Sequence, residues 1–76
     1  MSDLIIDKEL FEELKTMMSS SNENDIVVVI GILNTIDVWD KQNQEYKEEL
    51  YEILSENKNI KNKGELKTRI WMSQFE

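Results

Sequence analysis

The chain contains no cysteine, no histidine, no proline and only two glycines in 76 residues. Each absence removes a class of chemistry. Without cysteine there is no disulfide, no thiolate metal site and no thiol redox step. Without histidine, Ser19, Ser20 and Ser21 have no imidazole to activate them, and no G-x-S-x-G elbow is present. With Gly31 and Gly64 alone, there is no glycine-rich loop to cradle a phosphate. Neither Asn22–Asp25 nor Asp37–Asn43 supplies the oxygen ligands of an EF-hand at the required spacing. Alanine is also missing, and lysine outnumbers arginine eight to one. That profile fits translation from an AT-rich genome, with large tailed phages and low-GC bacteria both compatible sources.

Positive charge is scarce over most of the length. The net charge is −7, which opposes a general affinity for nucleic acid or anionic membrane. The imbalance is uneven. Residues 1–25 carry seven acids and two lysines, residues 26–57 again seven and two, and residues 58–76 five bases and two acids. The basic end is expected to fold back along acidic helices; the alternative is that one patch faces a partner.

Long apolar runs are also scarce. The one present is Ile26–Ile36, and it decides the fold class. Its β-branched residues suit a strand, but no second stretch reads as a strand to pair with it, and a lone strand leaves both edges unpaired. A helix satisfies its own backbone. Asn22, Asn24 and Asp25 offer N-caps. Ile26, Val29, Ile30, Leu33 and Ile36 form one stripe, which Val27, Val28 and Ile32 widen, so the helix is expected to be buried most of the way round. Gly31 weakens it by about 1 kcal/mol relative to alanine, and close packing of a neighbouring helix is the favoured reason over a hinge. A strand paired with a second copy or a partner is the surviving alternative. The run is too short to cross a bilayer, which takes about 20 apolar residues.

Around this run the sequence predicts three more helices. Asp7 caps the first, Lys8–Met18, with Ile6 and Phe11 placed as a hydrophobic staple and Leu10, Phe11, Leu14, Met17 and Met18 on one face. Ser19–Asn24 is a polar loop. The central helix should end near Asp37, with Val38-Trp39-Asp40 a short connection. A third helix is predicted from Asp40 to about Asn57, with Tyr46, Leu50, Ile53 and Leu54 inward and Glu45, Lys47, Glu48, Glu49, Glu52 and Glu56 outward. Asn57–Gly64 reads as irregular, and a last helix runs from about Glu65 to Gln74 with Leu66, Ile70 and Trp71 on one face. The expectation is a single small all-α domain over 1–76, three or four helices around the apolar one. A chain this short buries only about 60% of its unfolded surface, so self-association, as a homodimer, is expected as well. The acidic start, Met1–Asp7, does not resemble a signal peptide, and a cytoplasmic location is expected (host cytoplasm if phage-encoded).

Two partial resemblances bear on function. Leu14, Met17, Met18, Ser20, Asn24, Val29, Ile32 and Leu33 resemble a HEAT-type helical hairpin over Leu14 to Asp37, which implies a protein-binding surface and no activity. Glu48-Glu49-Leu50-Tyr51-Glu52 resembles the E-E-x-x-E half-motif of all-helical nucleotide pyrophosphohydrolases, whose carboxylates hold Mg²⁺; the second half, E-x-x-D, is absent. Glutamate-rich helix faces are commonplace in solvated helices. The expected function is therefore non-enzymatic: a small acidic adaptor or inhibitor that binds another protein, with no cofactor, no metal, no membrane and no direct nucleic acid. The first alternative is an acidic nucleic-acid mimic that blocks a DNA- or RNA-binding protein, and the second a metal-dependent nucleotide hydrolase. The residues expected to meet a partner are Trp39, Tyr51, Trp71 and Phe75, because exposed aromatics dominate binding energy, with Glu45, Glu48, Glu49 and Glu52.

Overall fold

The computed structural model describes residues 4–72, apart from the side chain of Trp71. Among them are four helices: α1 (Lys8–Met18), α2 (Glu23–Leu33), α3 (Lys41–Glu56) and α4 (Lys63–Met72). The all-α expectation holds. The starts of α1, α2 and α3 each carry a capping side-chain oxygen. Asp7 Oδ1 accepts from Leu10 N–H at 2.8 Å, Asn22 Oδ1 from Asn24 N–H at 2.9 Å, and Asp40 Oδ1 from Asn43 N–H at 2.9 Å. These caps satisfy amides that a helix leaves orphaned in its first turn. The far end of α3 is closed by Lys63, whose Nζ donates to Ser55 O at 2.8 Å and Asn57 O at 3.0 Å.

The helices form a ring in the order α1, α2, α4, α3, each packed chiefly against two neighbours. Their inward residues build one core of Ile6, Phe11, Leu14, Met18, Ile26, Val29, Ile30, Leu33, Ile36, Leu50, Leu54, Ile60, Leu66 and Ile70. The staple pair Ile6 and Phe11 belongs to it, and Phe11 stacks on Tyr46 with ring centroids 3.9 Å apart. The basic segment docks through Ile60, Leu66 and Ile70. The single ion pair among the described residues joins Lys15 to Glu12 within α1, so packing and carbonyl capping hold that segment in place.

Two buried asparagines tie the loops to α3. Asn43 Oδ1 accepts from Ile6 N–H at 2.8 Å, and its Nδ2 donates to Leu4 O at 2.9 Å and Asp37 O at 3.0 Å. Asn57 Nδ2 donates to Met18 O at 2.8 Å and Ser20 O at 2.9 Å. They act as clamps at the two ends of one helix, supplying bonds that buried loop backbone must find.

Five expectations are corrected. First, α2 stops at Leu33 rather than Asp37. Ile36 instead lies in a parallel bridge with Leu4, where Leu4 N–H donates to Thr35 O at 3.1 Å and Asp37 N–H to Leu4 O at 2.9 Å. Second, α2 is not buried all round: Val27 is 41% and Val28 50% exposed. With its helix neighbours chiefly α1 and α4, its outer side has no cover. Third, a Cβ built on Gly31 would meet nothing within 4 Å, so no helix packs closely over it. Fourth, Lys47 points inward and is fully buried. On α3 the residues facing the core are Asn43, Lys47, Leu50 and Leu54, a set turned relative to the apolar stripe because Asn43 must reach the loops. Fifth, Gly64 lies inside the first turn of α4 rather than ahead of it.

Candidate functional site

Trp39 is the most exposed large apolar side chain among the described residues, at 91%. Its backbone is nevertheless held tightly. Trp39 N–H donates to Asp37 Oδ1 at 2.9 Å, an Asx turn. Asp40 N–H donates to Asp37 O at 3.2 Å, and Gln44 Nε2 donates to Val38 O at 2.8 Å. Asp37 O also accepts from Asn43 Nδ2, and Asp37 N–H is bonded to Leu4. The turn is therefore fastened to α3 and to the N-terminal segment, while its indole stands in solvent. Pre-organised display lowers the ordering entropy that a binding side chain would otherwise lose.

The same bridge brings a second apolar element to the turn. Leu4 is 37% and Ile5 49% exposed, and Leu4 is bonded to Thr35 and Asp37 on either side of Ile36. Leu4, Ile5 and Trp39 thus come from two segments that one parallel bridge joins. The sequence singled out Trp39 but gave no sign of Leu4 and Ile5, since the pairing of residue 4 with residue 36 depends on Asn43 folding inward.

The other predicted partner residues fall in different places. Glu45, Glu48, Glu49 and Glu52 are all exposed on one side of α3, together with Glu56. Lys47 is withdrawn from that side, and among the described residues none of these five carboxylates has an ion-pair partner. Tyr51 is not free as expected: it is half-buried, with the Lys67 ammonium 5.2 Å from its ring centroid. It lines an open depression of about 410 Å³ with Gly64, Lys67 and Thr68. The side chain of Trp71 and the whole of Phe75 lie outside the described residues. A second open depression, about 460 Å³, is lined by Ser19, Ile53, Glu56, Asn57, Lys58 and Asn59. Both are wide and shallow, and neither joins a nucleophile to a base.

The chain matches no family model, no curated protein and no solved structure. Function must therefore be argued from the surface itself. Among the described residues, no group of three or more acidic side chains is arranged to hold a metal ion, the E-E-x-x-E segment included, and no helix is long and apolar enough to cross a membrane. Among the described residues the one strongly shifted ionisable group is Lys47: burial pulls its amine down from 10.5 to about 8. Its Nζ has no hydrogen-bond partner, and it lines neither depression.

Proposed function

We propose that this is a non-enzymatic cytoplasmic protein that binds another protein, with Trp39 as its anchor. The observation that carries the reading is the 91% exposure of an indole on a turn whose backbone is bonded on both sides. A tryptophan that only filled a core would not be there, and tryptophan is prominent among residues that dominate binding energy. The test is capture of partners from cells of the source organism by the native chain, Trp39→Phe and Trp39→Ala, with each variant's fold checked by its amide spectrum. A protein retained by the first two and lost with Trp39→Ala supports the reading; equal retention by all three overturns it.

A second reading, a nucleic-acid mimic, is favoured by the row of unpaired glutamates on α3. Charge-based binding weakens steeply between low and moderate salt, because the Debye length falls to about 10 Å at 0.1 M. Apolar docking of Trp39 hardly changes over that range. Capture repeated at low and moderate salt therefore separates the two.

A further inference from the structure

α3 is held to the rest of the molecule differently along its two halves. The second half places Leu50 and Leu54 in the core with no exposed surface. The first half, residues 41–47, buries only two side chains fully, and both are polar: Asn43 and Lys47. Tyr46, stacked on Phe11, is the one apolar contribution of these turns, and it is only partly buried. Hydrogen bonds therefore carry the attachment there. Asn43 bonds Ile6 N–H, Leu4 O and Asp37 O, and Gln44 Nε2 bonds Val38 O. Lys47 lies one turn beyond Asn43 on the same inward stripe, about 6 Å along the axis. Its Nζ is buried without a hydrogen-bond partner among the described residues. α1 and α4 are the helices packed on α3, and the core residues they contribute are Phe11, Leu14, Met18, Leu66 and Ile70, none of them charged. An ammonium in that setting disfavours the closed state. Any movement that brings it to water restores its hydration.

We propose that the first two turns of α3 open as a local unit: Lys47 leaves the core for solvent and Asn43 lets go of Leu4, Ile6 and Asp37, while Leu50 and Leu54 keep the second half docked. Segments with few buried apolar contacts are where native proteins open short of whole-molecule unfolding. Here the unpartnered amine favours outward movement of the same segment. Release of the charge and release of the clamp are therefore one event. The opened form is the minor one. It also unfastens the Trp39 turn, whose carbonyls at Asp37 and Val38 are held by Asn43 and Gln44. The fold thus contains a release for that turn, and the release does not depend on what Trp39 binds.

The test uses the full chain and Lys47→Met at pH 7, with two readouts. Amide hydrogen exchange gives an opening constant at each site. The reporters are the Ile6 amide, whose acceptor is Asn43 Oδ1, and the amides of residues 44–47. They are expected to share one opening constant, at least about tenfold larger than that of Leu14 and Ile70 in the core. Acylation of lysine amines by an acetyl ester, read by peptide mass, follows the Lys47 amine itself. Its rate in the native chain, divided by its rate in the urea-unfolded chain, should match the Ile6 opening constant. Lys47→Met should lower the opening constants of Ile6 and residues 44–47 at least about tenfold, since the buried charge is gone. Exchange of these amides only together with Leu14 and Ile70 would mean that no local unit exists, and overturns the proposal. Opening constants unchanged in Lys47→Met overturn it too, as does a Lys47 amine labelled only at the level set by Leu14 and Ile70. In both cases the clamp opens without the amine leaving the core. None of these results involves the indole of Trp39, so the protein-binding reading fails separately, in capture that survives Trp39→Ala.

Discussion

Replacing Lys47 with methionine should make the protein more stable. The amine is fully buried, lacks a hydrogen-bond partner and shares the inward stripe of α3 with Leu50 and Leu54. Methionine keeps most of the apolar stem in place and removes the ammonium. Burial lowers the Lys47 pKa from 10.5 to about 8. At about 1.36 kcal/mol per pH unit, holding the proton at pH 7 disfavours the folded chain by about 3 kcal/mol. The sign follows from proton binding. The unfolded chain keeps the Lys47 proton up to about pH 10.5, whereas the folded chain releases it near 8. Between those values the unfolded state holds more protons, so stability rises with pH. Below pH 8 the full penalty is present, and above 10.5 it is gone. Lys47→Met should therefore add roughly 1–3 kcal/mol at pH 7, part of the gain being offset by imperfect packing of the new side chain. The assay is urea unfolding of both proteins from pH 7 to 10.5, read as the difference between them, which cancels the tyrosines they share. The difference should be widest at pH 7 and close towards pH 10.5. A destabilised Lys47→Met at pH 7, or a difference that does not change with pH, would refute the reasoning.

Three further substitutions have definite outcomes. Asn43→Ala removes three hydrogen bonds and leaves Ile6 N–H without its acceptor; a loss of roughly 2–4 kcal/mol is expected, with amides 4–6 losing hydrogen-exchange protection first. Gly31→Ala meets open space and should stabilise by about 0.5–1 kcal/mol in thermal unfolding; a fall in melting temperature would mean that α2 is covered on its outer side. Trp39→Ala should leave unfolding free energy within about 0.5 kcal/mol of the native chain, because the turn is held by bonds to Asp37 and Gln44 and not by the indole.

The parts of the fold that were legible are those fixed by local chemistry. Asp7 and Asn22 are caps in sequence and in space, and α1 has the expected bounds because its staple and apolar face agree. α2 was legible as a helix but not in its exposure. Five consecutive apolar residues wrap round a helix, and only contact with neighbours decides which of them find cover. Lys47 departs from its expected outward place for a different reason. Its spacing, three residues before Leu50 and seven before Leu54, places it on the inward stripe, yet its charge argued for solvent. At this residue position in the helix outweighs residue type. In the candidate site, Trp39 could be picked out because an aromatic in a short polar connection has little to pack against. Leu4 and Ile5 could not, since their pairing with the turn spans more than thirty residues and runs through Asn43.

The central claim is that the fold holds Trp39 out in solvent on a fixed turn. Acrylamide quenching of tryptophan emission tests it most directly, with the Trp39 contribution isolated as the difference between the native chain and Trp39→Phe. The account predicts red-shifted emission quenched nearly as readily as free tryptophan in water, together with slow exchange of the Trp39 backbone amide. A blue-shifted, quencher-protected Trp39 would contradict it.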